Sequence, residues 1–234
     1  MIPKTIHYCW FGRNPKSESV LRYIQTWKEK MPDYTIKEWN EENFDVNYNA
    51  FTQEAYFAQK YAFVSDVARL YALVLDGGIY LDTDIIVLKH FPDELLNQKG
   101  FAGFEHEFFI GTGVMACEKG NDIIREFLSF YETKHFFENF RFNQTPNVQY
   151  FTSLLKSKGL IINNKQQDIA GFLIYPQDIF CCKDCRTLQT YNNDKSLSIH
   201  DFAGTWIKED NGISQKLKNR FSELITILRY YYRP

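Results

Sequence analysis

The segment from Ile79 to Leu88 constrains the fold of this 234-residue chain most, because it is apolar on both sides of an acidic centre. Ile, Leu, Val and Tyr occupy its odd and even positions alike, and the exceptions are Asp82, Thr83 and Asp84. A strand that is apolar on both faces is typical of the covered centre of a sheet. The sequence therefore predicts a buried central strand over residues 79–88.

The acidic centre, Asp82-Thr83-Asp84, is the first candidate for a functional site. Side chains two positions apart on a strand point to the same face, so the two carboxylates are expected to converge. Neighbouring carboxylates in apolar surroundings are costly unless they are paired or bind a metal. Their oxygens are ligands that Mg²⁺ and Mn²⁺ prefer. The pattern predicts a divalent metal site, and the alternative is a pair of solvent-facing acids at a strand end.

A helix is predicted immediately before this strand. Ser65 is expected to cap its N-terminus, apolar residues recur at intervals of three and four, and Gly77-Gly78 ends it. Asp66 and Arg69 share one face of its first turns. They form either a weak surface ion pair or a site in which Asp66 accepts bonds from hydroxyl groups and Arg69 offers its guanidinium to phosphate.

The rest of the chain alternates between strand and helix patterns, which indicates a largely parallel sheet with ligands at the strand ends. Further strands are predicted over 5–11, 34–39, 101–105, 110–117, 172–175 and 196–202, and further helices over 17–30, 52–61, 122–131 and 145–158. We expect one α/β domain over residues 1–212 and an appended helix over residues 213–234.

Composition excludes several classes of protein. A net charge of -2 provides no general field for nucleic acid, so no nucleic-acid partner is expected. The longest apolar run, Leu70 to Leu75, is far too short to span a bilayer. No secretory signal is visible at the N-terminus, and the 5 cysteines are an odd number, which favours a cytoplasmic location.

Two blocks of residues together resemble a known family. The first runs from Ile2 to Gly12 (Ile-Pro-Lys-x-Ile-His-x-x-Trp-x-Gly), and the second runs from Ser65 to Asp84 and includes Gly77-Gly78-x-Tyr80-Leu81-Asp82-x-Asp84. The combination resembles the bacterial glycosyltransferases with a DXD sugar-binding region (glycosyltransferase family 32). Capsular polysaccharide enzymes belong to this group, and the fungal α-1,6-mannosyltransferases and clostridial toxin glucosyltransferase domains are related to it. Segments 174–180 and 198–206 look like the family's C-terminal signature.

The resemblance implies a GT-A (Rossmann-like) nucleotide-sugar-binding domain, a divalent cofactor (Mn²⁺ or Mg²⁺), and retaining transfer of a hexose from a nucleotide-sugar donor to a glycan acceptor. It implies roles for individual residues. Asp66, Arg69 and Asp84 would be catalytic; His7, Trp10, Phe11, Asp66, Arg69, Asp82, Thr205 and Trp206 would bind the donor; and Asp82, Asp84 and His200 would bind the metal.

This chain departs from the family pattern at two places. The family signature often has two histidines where this chain has His200-Asp201, and a serine where it has Thr205. The hydroxyl group is kept at Thr205. At the histidine pair, this chain keeps one histidine, His200, as the third metal ligand that the resemblance implies. No residue stands out as a covalent nucleophile. We therefore expect front-face transfer, in which the acceptor hydroxyl attacks on the leaving-group side.

Two other functions are compatible with parts of the sequence. A haloacid-dehalogenase-type phosphatase also places Asp-x-Asp after an apolar strand, although its motif lies nearer the N-terminus and usually has Thr or Val where this chain has Ile86. A catalytically silent nucleotide-sugar-binding module would bind the donor without transferring it. The phosphatase would leave Gly77-Gly78 and the block from His200 to Trp206 unexplained.

The C-terminal segment differs in charge from the rest of the chain. From Ser214 to Pro234 it has five basic residues and one acid, which gives this tail a charge of +4 and leaves -6 for the remainder. Apolar residues recur at helical spacing from Leu217 to Leu228, and three tyrosines follow. The pattern predicts a basic amphipathic helix that docks on the domain or lies on the inner face of the membrane. The resemblance favours the membrane, because capsule enzymes commonly use polyprenyl-phosphate-linked acceptors.

Overall fold

The computed structural model describes residues 1–106, 108–184, 186–203 and 213–231; for residue 106 and residues 213–218 only the backbone is described. The strands are β1 (Thr5–Cys9), β2 (Thr35–Trp39), β3 (Gly78–Leu81), β4 (Ile85–Val87), β5 (Gly100–His106), β6 (Phe109–Cys117), β7 (Phe137–Glu138), β8 (Arg141–Phe142), β9 (Gln167–Ile169), β10 (Phe172–Tyr175) and β11 (Ser198–His200). The helices are α1 (Glu18–Lys30), α2 (Ala50–Phe57), α3 (Tyr61–Asp76), α4 (Asp93–Leu96), α5 (Asp122–Phe130), α6 (Asn147–Ser157), α7 (Gln177–Phe180) and α8 (Ile213–Tyr231), with a 3₁₀ turn at Tyr131–Thr133.

A seven-stranded sheet in the order β2-β1-β3-β6-β5-β10-β9 forms the centre of the fold. Strands β2, β1, β3, β5 and β10 run in one direction, and β6 and β9 run against them. The predicted α/β class and mostly parallel sheet are therefore confirmed. The helices cover both faces, and each face has its own apolar core. Most of the aromatic residues that are fully buried lie in these two cores, so the aromatic surplus of the chain is mainly core.

The predicted continuous strand over residues 79–88 is wrong, because the chain turns at the acidic centre. β3 ends at Leu81 and β4 begins at Ile85, and the backbone N–H of Ile85 donates to the carbonyl of Asp82 at 3.0 Å. β3 stays in the main sheet between β1 and β6, whereas β4 pairs antiparallel with β11, so that Ile85 faces His200. The turn places the acids at the end of the sheet. A strand interior would have buried their charge without partners.

Two helices begin earlier than the sequence predicted. Ser65 does not cap α3, which starts at Tyr61; its hydroxyl donates to the carbonyl of Tyr61 at 3.1 Å, one turn back. α2 starts at Ala50 because Asn49 and Thr52 bond each other's backbone N–H groups in a capping box. The predicted end of α3 at Gly77 is correct.

Helix α1 fixes the small two-stranded sheet β4–β11 to the body of the domain. The indole N–H of the fully buried Trp27 donates to the carbonyl of Ile85 at 2.8 Å, and the hydroxyl of Thr26 accepts from the backbone N–H of Val87 at 3.1 Å. These bonds satisfy edge groups of β4 that β11 leaves open. They position the strand that follows the acidic turn.

Helix α8 packs on the domain through one face. Ile227 is 2% exposed, and the ring of Tyr230 contacts the rings of Phe57 and Phe137 while its hydroxyl donates to Gln53. The division of the chain at residue 213 stays a prediction, since residues 204–212 lie outside the described part.

Glycine is required where α3 turns into β3. Gly78 has φ +103°, and a Cβ there would lie 2.6 Å from the carbonyl oxygen of Thr5 in β1. Gly159 has φ +102°, but a Cβ there would meet nothing within 4 Å. The two glycines therefore share a backbone conformation and differ in steric surroundings.

We predict that Gly159→Ala lowers the free energy of unfolding by about 1 kcal/mol, the cost of a left-handed backbone for alanine. Gly78→Ala adds a clash with backbone and should cost about 1–3 kcal/mol more. Urea unfolding of both variants measures the difference. Equal losses would show that β1 moves aside at no cost.

Candidate functional site

Three side chains from separate parts of the sequence meet beside the acidic turn. Asp82, Asp84 and His200 each offer one ligand atom within 4.8 Å of the others, and they are the one such group of His, Cys, Asp and Glu residues found among the described residues. Gly113 on β6 makes room for them, because a Cβ there would lie 3.1 Å from Asp82 Oδ2 and 3.2 Å from His200 Cε1. The convergence predicted from Asp-x-Asp is present, although a turn produces it.

The segment from His200 to Ala203 surrounds Asp84. His200 Nε2 lies 3.2 Å from Asp84 Oδ1, the backbone N–H of Ala203 donates to Asp84 Oδ2 at 3.0 Å, and the backbone N–H of Asp201 donates to the Asp84 carbonyl at 2.9 Å. Burial works against ionisation of Asp84, but His200 and the N–H of Ala203 lower its pKa below the usual value. Asp84 is therefore held as a carboxylate.

His200 is held from its other side as well. Its ring stacks on Phe202 with the centroids 4.2 Å apart, and its Nδ1 lies 3.6 Å from Glu105 Oε2 on β5. Burial lowers the pKa of His200, but Asp84 and Glu105 raise it more, and it lies well above the usual value. The imidazole therefore lies between two carboxylates, as ligating histidines commonly do with their outer partners.

A buried arginine links the metal candidate to α3. Arg69 is 5% exposed, and its guanidinium reaches Asp66 Oδ1 at 3.0 Å, Asp82 Oδ1 at 3.1 Å and the carbonyl of Thr112 at 2.8 Å. Its planar face lies 4.5 Å from the ring centre of Tyr80, whose hydroxyl donates to Asp82 at 2.9 Å. The surface ion pair considered as an alternative is therefore wrong, because the pair is buried and shared with Asp82.

Asp66 has an unusual protonation equilibrium. Its Oδ1 accepts from Asn147 Nδ2 at 2.6 Å and from Arg69. Burial nevertheless raises the pKa of Asp66 from 3.8 to about 7, against the lowering effect of Arg69. Near neutral pH this carboxyl can therefore either donate or accept a hydrogen bond.

The predicted donor-binding residues of the first block do not all reach this cluster. His7 is fully buried: its Nδ1 accepts from the indole of Trp39 at 3.0 Å and its Nε2 donates to the carbonyl of Gly77 at 2.7 Å. Phe11 is 5% exposed and packs edge-on against Phe44. Both side chains serve the core, so neither is kept in the donor site that we propose.

Trp10 remains available. It follows β1, which is parallel to β3, so the two strands end at the same edge of the sheet as the acidic turn. Its indole N–H donates to the carbonyl of Asn14 at 2.7 Å, and its ring is partly exposed. Thr205 and Trp206, the other predicted donor contacts, lie outside the described residues.

Sequence reasoning missed three residues of the site. Tyr80 could have been found, since it lies two positions before Asp82 on the same strand face. Asn147 and Thr112 gave no local signal: the Thr112 hydroxyl donates to Asn147 at 2.8 Å, and Asn147 reaches Asp66 across 81 positions of sequence. These contacts depend on how α6 and β6 pack against α3.

The donor set fits a small divalent cation. Two carboxylates and one imidazole are oxygen and nitrogen ligands of the kind that Mn²⁺ accepts, and the carboxylates alone suit Mg²⁺. Arg69 approaches this group from the side of α3, where its guanidinium lies 3.1 Å from Asp82 Oδ1. The predicted metal site is therefore chemically consistent, while the identity of the ion stays a prediction.

Residues 17–102 match the family described as "Glycosyltransferase sugar-binding region containing DXD motif". This part of the chain is similar to glycosyltransferase sugar-binding regions. It contains Asp66, Arg69 and the Asp82–Asp84 turn, and it confirms the family resemblance predicted from the sequence.

Two curated proteins and a solved structure are similar to parts of this chain. The chain is 28% identical to "Subversion of eukaryotic traffic protein A" of Legionella pneumophila over 57% of its own length and 26% of the relative. It is 31% identical to a "Toxin" of Photorhabdus asymbiotica over 38% of its own length and 4% of the relative. The chain thus spans about a quarter or less of either curated relative.

The structure titled "PaToxG Glycosyltransferase" superposes with a TM-score of 0.50 at 23% identity and covers 68% of this chain and 69% of the other. Such similarity shows a shared fold, and the predicted GT-A-like fold is thereby confirmed.

The raised pKa of Asp66 makes the stability of the folded chain depend on pH. Between pH 3.8 and about 7 the folded state binds a proton that the unfolded state has released. The free energy of unfolding should therefore decrease as pH rises through this window, by up to about 1.4 kcal/mol per pH unit. We predict that in Asp66→Asn the free energy of unfolding no longer decreases over this pH range. Urea unfolding at several pH values measures it, with EDTA present to exclude divalent ions. Asp122→Asn, on an exposed acid of α5, is the control and should keep the decrease.

Proposed function

We propose that the chain is a metal-dependent retaining glycosyltransferase that moves a hexose from a nucleotide sugar to an acceptor hydroxyl. The observation that carries the proposal is the meeting of Asp82, Asp84 and His200 beside the buried Arg69 and Asp66. The carboxylates and the imidazole suit a cation, the guanidinium suits a phosphate, and the carboxyl group of Asp66 suits a sugar. All these residues except His200 belong to the matched sugar-binding region.

Asp82, Asp84 and His200 would hold Mn²⁺ or Mg²⁺. When bound, such an ion neutralises negative charge that grows on the departing diphosphate. Arg69 adds a fixed positive charge whose position does not change during the reaction, since three acceptors hold its guanidinium. Asp66 would orient the donor sugar by bonding the sugar's hydroxyl groups. With a pKa of about 7, its carboxyl group can donate or accept such a bond near neutral pH.

Residues near the turn would hold the remaining parts of the donor. Trp10 offers a partly exposed aromatic face at the end of β1 for stacking on the base. Thr205 and Trp206 are proposed to contact the diphosphate, where a hydroxyl and an indole N–H can donate to phosphate oxygens. His7 and Phe11 are left out because both are buried in the core.

The chemistry proposed is front-face substitution. The acceptor oxygen forms a bond to the anomeric carbon while the bond from that carbon to the diphosphate oxygen breaks, on the same face of the sugar. The acceptor proton passes to an oxygen of the departing diphosphate. The side chains of the site orient the donor and stabilise the charge that develops, and none of them forms a covalent intermediate in this scheme.

The donor is proposed to be a UDP-sugar in preference to a GDP-sugar. For the acceptor, the family resemblance favours a polyprenyl-phosphate-linked glycan of capsular or exopolysaccharide synthesis. A second acceptor class, a hydroxyl group on a eukaryotic protein, is suggested by the similarity to a protein that subverts eukaryotic traffic and to a toxin. Both use the same site and differ only in what approaches it.

We predict that Asp84→Ala lowers Mn²⁺-dependent nucleotide release from a panel of UDP- and GDP-sugars by a factor on the order of 100 or more, since the ion and its charge stabilisation are lost. Chromatography of the released nucleotide measures the rate and names the donor. Asp45→Asn, on an acid outside the site, is the control. Wild-type turnover in Asp84→Ala would contradict the assignment.

The same panel separates the other functions. Donor binding without nucleotide release from any sugar, with or without acceptors, would indicate a silent binding module. Release of phosphate from simple phosphomonoesters, in place of nucleotide from nucleotide sugars, would indicate the haloacid-dehalogenase-type phosphatase. Sugar transfer to lipid-linked glycan or to eukaryotic lysate protein distinguishes the two acceptor classes.

We also propose that α8 lets the enzyme bind the inner face of the cell membrane as a peripheral protein. One face of α8 docks on the domain through Ile227 and Tyr230, while the opposite face exposes Phe221 by 66% and Leu228 by 41%, beside the exposed Arg229. Docking and membrane contact are therefore compatible, since they use different faces. No described helix has the length and apolar character needed to cross a bilayer.

We predict that Phe221→Ser with Leu228→Ser lowers binding to vesicles containing anionic lipid by about tenfold, because two apolar side chains no longer enter the interface. Co-sedimentation measures the bound fraction. Leu21→Ser with Ile161→Ser removes two exposed apolar side chains elsewhere and serves as the control. Equal binding of both double variants would contradict the membrane role of α8.

A further inference from the structure

Asp201, which follows the metal candidate His200, has its carboxylate bound by two other parts of the chain. Lys183 donates its ammonium group to Asp201 Oδ1 at 2.6 Å and to the Asp201 carbonyl at 2.8 Å. The hydroxyl of Tyr23 on α1 donates to Asp201 Oδ2. Lys183 is largely buried, with its side chain 14% exposed. Each oxygen of this carboxylate therefore has a donor that belongs to neither β4 nor β11.

The backbone of the same segment contacts the acidic turn. The N–H of Asp201 donates to the Asp84 carbonyl, and the N–H of Ala203 donates to Asp84 Oδ2. Asp201 is thus bonded through its side chain to Lys183 and Tyr23 and through its backbone to Asp84. It is absent from the group of converging ligand atoms, which consists of Asp82, Asp84 and His200 among the described residues.

The strand that carries His200 is bonded to α7 at its start, where the N–H of Leu197 donates to the Ile179 carbonyl and the Ser198 hydroxyl donates to the Phe180 carbonyl. In the described part of the chain β11 pairs with one strand, β4, and each strand has three residues. An isolated pair of strands of this length is marginal at best. Helix α1 secures β4 through Trp27 and Thr26, and it secures the end of β11 through Tyr23 and Asp201.

We propose that Tyr23, Lys183 and Asp201 form a clamp that positions His200 and Asp84 for binding the metal. The clamp residues do not ligate the ion; they fix the segment that supplies one ligand and donates to another. Outer partners of this kind typically change metal affinity by about 10–100-fold when removed. The inference rests on the metal site of the proposed function, and it assigns Asp201 a positioning role where the family signature often has a second histidine.

Substitution of Lys183 separates two explanations, because electrostatics and positioning predict opposite changes in the affinity for Mn²⁺. Lys183→Met removes a positive charge close to a cation site, which by electrostatics alone would raise affinity for Mn²⁺. Loss of the clamp would lower that affinity, and we expect a decrease of about tenfold. The affinity is measured from the electron paramagnetic resonance signal of free Mn²⁺, titrated into the full chain alone and with UDP.

Two further variants complete the experiment. Tyr23→Phe keeps the ring and the charge and loses only the hydroxyl, so it should fold and bind Mn²⁺ a few-fold more weakly. Lys89→Met is the matched control, because Lys89 also bridges the β4 and β11 segments, by donating to the Asp194 carbonyl at their far end. It should bind Mn²⁺ as the wild type does.

The outcomes separate the clamp from the metal site itself. Unchanged or higher affinity in Lys183→Met, together with unchanged affinity in Tyr23→Phe, would overturn the clamp while the metal site stands. Lack of Mn²⁺ binding by the wild type, or equal binding by Asp84→Ala, would overturn the metal site and the clamp with it. If Lys183→Met does not fold, Tyr23→Phe decides the question alone.

Discussion

The contact between Arg69 and two acids is the interaction on which the rest of the site depends. Arg69 is almost fully buried and lies between Asp66 on α3 and Asp82 after β3. Burying the Arg69 guanidinium is costly unless acids stand beside it, and removing Asp82 would take away a carboxylate that compensates its charge. The ion pairs therefore fix the helix and the strand end relative to each other, and they make α3 part of the site as well as part of the core. The face of Tyr80 and the carbonyl of Thr112 complete the surroundings of the guanidinium.

The second requirement is that the chain leaves the main sheet immediately after β3. At Asp82–Asp84 the chain turns out of the seven-stranded sheet and enters the β4–β11 pair. Asp82 therefore contacts Arg69, and Asp84 contacts His200. A continuous strand would have put both carboxylates on one face of the buried sheet. Asp82 could not then contact Arg69 while Asp84 contacts His200 from another direction. Gly113 then leaves space between Asp82 and His200 that any side chain would fill.

Local patterns in the sequence predicted most of the framework and the chemistry of the site. Helix and strand patterns predicted α1, α3, β6 and β10, and the combined blocks resemble the family whose sugar-binding region residues 17–102 match. What could not be predicted depends on tertiary packing. The turn within residues 79–88 follows from pairing with β11, over 110 positions away, and His7 looks like a site residue in sequence but bonds Trp39 and Gly77 in the core. Asn147 belongs to the site only because α6 packs on β6.

The contacts around Asp84 also connect the proposed metal site with the proposed diphosphate contacts. The N–H of Ala203 bonds a carboxylate oxygen of Asp84, and Thr205 and Trp206 follow within three positions of Ala203 in the sequence. A cation held by Asp84 and His200 would favour the arrangement of residues 200–203 in which these bonds form. A diphosphate held by Thr205 and Trp206 that favours the same arrangement would also strengthen cation binding. By linkage, it does so by the same factor by which the cation strengthens diphosphate binding. In the proposed clamp, the Lys183–Asp201 contact stabilises this arrangement of residues 200–203 before either ligand binds, which lowers the ordering cost that each would otherwise bear.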